Sequence, residues 1–270
     1  KRDGRVGVVP TMGNLHEGHL DLVRAARAEC DTVVMTIFVN PTQFDDPSDL
    51  EKYPRTLEHD LALAEAHGVD VVFLPTVDEM YPDGFATTVA VSGAITEVLE
   101  GAVRGRSHFD GVATVVAKLL LAVLADIAYF GAKDAQQVVV VKRMVADLGI
   151  PVVIAVVPTS RDADGLARSS RNSRLSAEER ARALAVPRAL QAIAEASAGE
   201  GDAASLRAVG AHELTDLDVE YLEIVDPVTL APIETVHHDA LVVVAVRVGA
   251  TRLIDNVTIS PRSSSPRSNA

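Results

Sequence analysis

The sequence predicts an α/β fold, with a Rossmann-like doubly wound parallel sheet followed by a smaller C-terminal α+β domain. Short β-branched runs alternate with amphipathic stretches up to Pro158, which is the pattern of a doubly wound sheet. Beyond Pro158 the chain is polar and rich in Arg and Ser, and then gives a helix and three strand-like runs. We therefore predict one domain over residues 1–158 and a second over residues 159–270.

Individual elements follow from hydrophobic periodicity and from Gly and Pro positions. Strands of the first domain are predicted at 6–9 (ended by Pro10), 32–39, 69–74, 87–91, 127–130 and 152–157. Helices are predicted after Asn14 and at 57–67, 112–124 and 136–148, with 76–85 irregular and 101–111 a Gly-rich basic loop. In the second domain, Ser176 caps a long Ala-rich helix, 218–225, 240–248 and 252–259 are antiparallel strands, and 260–270 is a disordered tail.

The stretch 136–148 is ambiguous. Val138 to Val141 favour a strand by propensity. A helix is nevertheless predicted, because two parallel strands need a crossover between them.

Composition limits the possible functions. The chain has 270 residues and a formal net charge of −13, which argues against broad nucleic-acid binding because that needs a basic face. Cys30 is the single cysteine, so an internal disulfide is excluded and a reducing cytoplasm fits. The apolar run 112–125 is too short to span a bilayer and contains Lys118. The chain begins at Lys1, and we expect a further N-terminal piece before it.

Two histidines open the first helix, directly after the first strand. A spacing of three places His16 and His19 on one face, and the N–H groups of a helix N-terminus suit a phosphate. Gly18 lets a flat base approach the backbone. Two alternatives stay open, a zinc site without an evident third ligand and a pair of histidines with no role.

Two further segments carry groups suited to phosphate. Lys133 in 131–134 follows a strand and can neutralise a phosphate, while Asp134 can cap the next helix or help to hold Mg²⁺. Ser169, Ser170 and Arg171 lie in the polar loop after Pro158. The alternatives are an ordinary cap with a solvated lysine and a flexible Ser/Arg linker.

Gln43 and Gln137 follow the predicted strands 32–39 and 127–130, at the carboxyl edge of the sheet. Amides grip hydroxyl and carboxylate oxygens of small polar substrates, so both are candidate substrate ligands. The alternative for each is an exposed glutamine without a function.

The HxGH pattern resembles the signature of the nucleotidylyltransferase superfamily, which also carries a second Lys/Ser/Arg loop downstream. Seven motifs, in order, resemble those of the pantoate–β-alanine ligase family. They are PTMGNLHEGH, IFVNPTQF, YPRT, SHFDGVATVVAKLL, FGAKDAQQ, DGLARSSRN and TRLIDN, and the likeness runs from Val6 to Ile259.

The resemblance implies a ligase that joins pantoate to β-alanine at the expense of ATP, with Mg²⁺, by way of a pantoyl adenylate and with release of AMP and pyrophosphate. It implies a cytoplasmic homodimer whose C-terminal domain is a lid, and no nucleic-acid or membrane partner.

The resemblance also implies roles for individual residues. His19, as general acid, His16 and Lys133 would be catalytic. Residues of the ATP site would be Met12, Gly13, Asn14, Leu15, His16, Glu17, Gly18, His19, Gly131, Ala132, Lys133, Asp134, Ser160, Arg168, Ser169, Ser170 and Arg171. Gln43 would contact both pantoate and β-alanine. Gln137, Met12 and Asn40 would bind pantoate, and Asp60 would lie near the metal.

The chain departs from the family pattern at Ala132, Ala135, Arg168 and His59. Two rival functions remain open. A tRNA-charging enzyme of the same superfamily is disfavoured by the charge of −13 and by the lack of room for an anticodon-binding domain. A nucleotide-binding module without catalysis would bind ATP but release no AMP.

Overall fold

The computed structural model describes residues 4–44, 47–199 and 201–261. These residues form two compact units. The first reaches Arg161 and includes Arg168–Ser170, and the second comprises Asp162–Ala167 and the chain from Arg171 onward. Apart from Ser260 and Pro261, the tail predicted to be disordered lies outside the described residues.

The first unit contains one parallel sheet and the helices around it. Its strands are β1 (Val6–Thr11), β2 (Thr32–Ile37), β3 (Val71–Phe73), β4 (Ile127–Gly131) and β5 (Val153–Val157). Its helices are α1 (Glu17–Glu29), α2 (Pro47–Glu51), α3 (Leu57–Ala66), α4 (Val77–Met80), α5 (Ala94–Glu97), α6 (Glu100–Arg104), α7 (Arg106–Val123) and α8 (Ala135–Leu148). Single 3₁₀ turns occupy Pro41–Gln43 and Ala132–Asp134.

The sheet has the order β3-β2-β1-β4-β5, with every pairing parallel. Successive residues of β1 point to opposite faces. Val8 belongs to the core formed with α7 and α8, whereas Val9 belongs to the core that includes Leu22 and Val23 of α1. Both faces are therefore covered by helices, which confirms the predicted doubly wound fold.

Strand β1 lies between β2 and β4, so the chain reverses its direction of winding there. In such sheets ligands bind at the carboxyl edge beside this reversal. The segments that follow β1, β2 and β4 leave the sheet at that edge. They carry the histidines at the start of α1, Asn40 with Gln43, and Lys133 with Gln137 at the start of α8.

Several predicted elements differ from the structure. Pro10 lies within β1 rather than ending it, because β4 pairs only with Gly7 and Val8 and needs no donor from the Pro10 nitrogen. The predicted strand at 87–91 is irregular. The predicted loop 101–111 is helical, and Gly105 with φ of 80° merely separates α6 from α7. Residues 77–80 form α4, capped by Thr76.

The helix predicted over 136–148 is confirmed as α8, despite its four consecutive valines. Tertiary context decided the conformation, because α8 is the crossover between the parallel strands β4 and β5. Within the described ranges, no helix combines the length and apolarity that crossing a bilayer would require.

The second unit packs helices against a small antiparallel sheet. It contains α9 (Ala177–Ala183), α10 (Ala185–Ala196), α11 (Ala203–Glu213), β6 (Asp218–Val225), β7 (Ala240–Val248) and β8 (Thr251–Ile259). The 3₁₀ turn Ser170–Arg174 lies in this unit from Arg171 onward. Ser176 caps α9 as predicted, in a reciprocal box with Glu179. The predicted single long helix is instead two helices that meet at Leu184. The three predicted antiparallel strands are confirmed, in the order β6-β7-β8.

Candidate active site

The loop between β1 and α1 is a tight left-handed turn. Gly13 and Asn14 have φ of 80° and 51°. The Thr11 hydroxyl donates to the Thr36 carbonyl at 2.7 Å and accepts the Gly13 N–H at 3.2 Å. A Cβ at Gly13 would lie 2.9 Å from an Asp60 oxygen, so only glycine fits both the backbone angle and the space.

The Asp60 carboxylate binds the backbone of this turn. Its side chain is buried, with 1% exposure. Oδ1 accepts the Leu15 N–H at 2.8 Å, Oδ2 accepts the Asn14 N–H at 2.9 Å, and the Thr56 hydroxyl lies 3.2 Å from both oxygens. Asp60 therefore fixes the backbone that leads into the histidine-bearing helix.

The contacts of Asp60 bear on the metal role predicted for it. Both carboxylate oxygens already accept protein hydrogen bonds. Among the described residues there is no group of three or more His, Cys, Asp or Glu side chains placed to hold a metal ion. Mg²⁺ commonly keeps several waters and binds substrate phosphates rather than an all-protein cage. The structure thus gives Asp60 a structural role at this turn, and its place near a metal stays a prediction.

The two histidines cap α1 reciprocally. Nδ1 of His16 accepts the Gly18 N–H at 3.1 Å, and Nδ1 of His19 accepts the His16 N–H at 3.2 Å. The ring centroids are 4.1 Å apart. Because a neutral imidazole that accepts at Nδ1 carries its proton on Nε2, each ring has one N–H donor opposite the cap.

His19 is neutral at physiological pH. Burial, and after it the neighbouring His16, lower the pKa of His19 to about 3, although the side chain keeps some exposure. Asp134 acts in the opposite direction, and Lys133 again lowers the pKa. These electrostatic couplings place the Ala132–Asp134 turn close to His19, as the shared sheet edge requires.

The remaining residues of the first motif differ in exposure. Met12 and Asn14 are partly exposed, whereas Leu15 is buried. The exposed side chain of Glu17 pairs with Arg24 on the outer surface of α1, at 2.5 Å. Any contact of Leu15 or Glu17 with a nucleotide would therefore come from the backbone.

The polar segment after β5 reaches the same edge. A Cβ at Gly18 would lie 3.7 Å from the Ser160 Cβ, which places Ser160 beside the start of α1. The Arg168 N–H donates to the Ser160 carbonyl at 2.9 Å, and Arg168 Nε donates to the Arg161 carbonyl at 3.1 Å.

These bonds join Arg168–Ser170 to the first unit, while Arg171 belongs to the second. The predicted motif Arg168–Arg171 is therefore divided between the two units.

Asn40 and Gln43 form a connected pair after β2. Asn40 is 1% exposed and donates from Nδ2 to Gln43 Oε1 at 3.1 Å and to the Gly111 carbonyl at 3.2 Å. His108 Nδ1 lies 2.9 Å from the Gln43 carbonyl. Since a carbonyl only accepts, His108 carries its proton on Nδ1 in this contact.

The two adjacent glutamines of α8 have different environments. Gln136 is buried and structural, because its Nε2 donates to the carbonyls of Ile95 and Val98 and its Oε1 accepts the Glu100 N–H, each at 2.9 Å. Gln137 is partly exposed, and its side chain has no hydrogen-bond partner among the described residues. Its position at the first turn of α8 leaves Gln137, and not Gln136, for a ligand.

Sequence reasoning missed the contacts of Tyr81 and His108, and it missed the structural contacts of Asp60. The roles of Tyr81 and His108 depend on contacts 41 and 65 residues away along the chain, so no local pattern reveals them. Asp60 was selected, but for a metal. Its place in the first turn of a predicted helix gave no hint that it would meet the Asn14 backbone.

The parallel sheet, with a histidine-capped helix and a lysine-bearing turn at one edge, defines an α/β nucleotide-binding protein. The sequence profile of the family described as pantoate–β-alanine ligase matches residues 1–258. The chain belongs to this family, and the family is one of ligases.

Individual relatives agree with this assignment. A pantothenate synthetase from Acidobacterium capsulatum is 56% identical over 261 residues, covering 94% of this chain and 86% of the relative. The crystal structure of pantothenate synthetase from Thermus thermophilus superimposes with a TM-score of 0.92 at 50% identity, covering 97% of this chain and 95% of that chain.

A structure of pantoate–β-alanine ligase from Francisella tularensis, complexed with beta-gamma ATP and β-alanine, has a TM-score of 0.76 at 34% identity. The alignment covers 94% of this chain and 89% of that chain.

Proposed function

We propose that this chain condenses pantoate with β-alanine in two steps at the carboxyl edge of its parallel sheet. In the first step a pantoate carboxylate oxygen attacks the α-phosphorus of ATP, and pyrophosphate leaves. In the second step the β-alanine amine attacks the carbonyl carbon of the pantoyl adenylate, and AMP leaves. The observation that carries this proposal is the reciprocal histidine cap of α1, which lies beside Lys133 and Ser160.

In this proposal the histidines act as neutral hydrogen-bond donors. Their Nδ1 atoms are engaged by backbone N–H groups, so their Nε2–H groups face away from the cap towards the ligand side. Because its pKa is about 3, His19 is uncharged near neutral pH when it contacts the phosphates. It therefore stabilises developing charge by donating a hydrogen bond, and the positive charge at the site comes from Lys133 and Arg168.

Substrate recognition is assigned to amides. Gln43 lies in the 3₁₀ turn after β2 and Gln137 in the first turn of α8, which follows β4, and Met12 follows the strand β1 between them. Amide N–H groups complement the carboxylate and hydroxyl oxygens of pantoate and the carboxylate of β-alanine. The Gly131–Asp134 turn, Ser160 and Arg168–Arg171 are assigned to ATP.

The assignment of domains and assembly is also a proposal. Residues 1–158 would bind nucleotide and pantoate, and residues 159–270 would act as a lid that shields the adenylate from water. The chain would work as a homodimer in the cytoplasm, with Mg²⁺ supplied together with ATP. Light scattering coupled to gel filtration tests the dimer, for which a monomeric mass would be the contrary result.

A direct assay tests the reaction. The chain is incubated with ATP, Mg²⁺, pantoate and β-alanine, and AMP and pantothenate are quantified. We expect equal amounts of both products, and neither when pantoate is omitted. ATP binding without AMP release would identify the chain as a nucleotide-binding module and overturn the proposal.

A further inference from the structure

Tyr81 lies behind the Asn40–Gln43 pair, outside every motif that the sequence analysis singled out. Its hydroxyl donates to Asn40 Oδ1 at 2.7 Å. The ring packs against Phe38 and Phe85, with centroids 6.2 and 5.1 Å away. Burial raises the pKa of Tyr81, so the phenol remains a donor throughout the working pH range.

Backbone groups fix the direction of the whole chain of hydrogen bonds. Asn40 Oδ1 accepts the Thr42 N–H at 3.3 Å, and Asn40 Nδ2 donates to the Gly111 carbonyl at 3.2 Å. An N–H cannot accept and a carbonyl cannot donate, so the amide of Asn40 has one allowed orientation. Tyr81 must donate to it, and Asn40 must in turn donate to Gln43 Oε1 at 3.1 Å.

This arrangement leaves the N–H donors of the Gln43 amide for a ligand. Its Oε1 is engaged by Asn40, while its Nε2 has no partner among the described residues. The Gln43 backbone is held as well, by His108 and by close packing of Gly111 against the Thr42 carbonyl. Gln43 thus presents its Nε2 N–H donors, while Asn40 occupies one acceptor position of its Oε1.

We infer that Tyr81 is a positioning residue which, through Asn40, holds the Gln43 amide with its donors facing the substrate, so that this subsite selects ligands that present an oxygen acceptor. The inference rests on the proposed function, because it assumes that Gln43 contacts substrate. It restricts the group that meets the Gln43 Nε2 to a carboxylate or hydroxyl oxygen that accepts, and it excludes from this nitrogen a group that only donates, such as an ammonium.

Tyr81→Phe removes the hydroxyl and keeps the ring. Side-chain amide relaxation by ¹⁵N NMR on the free chain tests the contact without any need for activity, with the Gln43 signal assigned from Gln43→Ala. We expect the Gln43 amide to be ordered in the wild type and mobile in Tyr81→Phe. The matched control is Phe85→Leu, which disturbs the ring packing but retains the hydroxyl and should keep the amide ordered. An unchanged Gln43 amide in Tyr81→Phe would overturn the inference.

Kinetics then test the consequence for the substrate. Loss of one supporting hydrogen bond should raise the KM for pantoate by roughly 3- to 10-fold in Tyr81→Phe, with the KM for ATP unchanged. In a Gln43→Ala background the same substitution should have no further effect, because Tyr81 acts only through Gln43.

Two results would show a general structural role of Tyr81 and overturn the inference. One is that the effects of the two substitutions on KM multiply in the double variant, and the other is that Tyr81→Phe raises the KM for pantoate and the KM for ATP equally. If the wild type forms no AMP at all, the proposed function fails, and the NMR comparison decides the inference alone.

Discussion

The imidazole of His19 accepts the backbone N–H of His16 at 3.2 Å, so the second histidine of the motif caps the helix that the first one begins. The usual partner of a capping residue at this position is Glu or Gln. Here an imidazole replaces it, and an imidazole can accept at Nδ1 only while it is unprotonated there. The same contact therefore holds the helix start and keeps the Nε2–H donor in place.

Acidification should weaken the fold through His19. The unfolded chain protonates this histidine near pH 6.5, whereas the folded chain does so only near pH 3, so between these values the unfolded state binds more protons and stability falls as pH falls. Between pH 7.5 and 5 we expect a loss of up to about 2 kcal/mol from this group. Urea unfolding of the wild type and of His19→Gln at both pH values measures it. An identical pH dependence in the two proteins would contradict the expectation.

Asp60→Asn should destabilise the turn without changing the Mg²⁺ requirement. Its new amide N–H₂ would face the Asn14 or Leu15 N–H, which leaves a buried donor unpaired and costs about 1–3 kcal/mol. Thermal unfolding measures the loss, with His59→Asn as the exposed neighbouring control. The Mg²⁺ concentration for half-maximal activity should equal that of the wild type. A several-fold increase confined to Asp60→Asn would contradict this expectation and support the predicted metal role.

Substitution of the two adjacent glutamines should affect different properties, with Gln136→Ala lowering stability and Gln137→Ala weakening the use of pantoate. Gln136→Ala removes three buried hydrogen bonds and should lower the unfolding free energy by about 1–3 kcal/mol. Gln137→Ala should leave stability near that of the wild type and weaken the use of pantoate more than the binding of ATP. Each variant serves as the control for the other. Equal losses for both substrates in Gln137→Ala would mean that Gln137 only supports the fold.

Much of the fold was predictable because its signals are local. The alternation of strands and helices, the Ser176 cap and the Gly149 end of α8 can all be found within a few residues. The helical conformation of 101–111 was missed because three glycines and several polar residues obscured α6 and the first turns of α7. Those residues of the candidate site that belong to sequence motifs could be predicted to lie at the carboxyl edge of the sheet. The contacts of Tyr81, His108 and Asp60 are long-range, and they follow only from the folded arrangement.

Lys133→Ala should slow the first half-reaction more than the second. Negative charge develops around the α-phosphorus as pyrophosphate leaves, while attack on the adenylate takes place at carbon. If Lys133 resembles an oxyanion donor, its removal should slow adenylate formation by roughly 10²–10³-fold. Single-turnover measurements of both half-reactions test this, with Lys142→Ala on the exposed side of α8 as the control. Equal slowing of both steps would assign Lys133 to structure or to general nucleotide binding.

The central claim is that a pantoyl adenylate forms before β-alanine reacts. Exchange of labelled pyrophosphate into ATP tests it most directly, because exchange requires reversible adenylate formation and nothing later. We expect exchange that depends on pantoate and proceeds without β-alanine, and that is lost in His19→Ala. Exchange that requires β-alanine, or that proceeds without pantoate, would contradict the account.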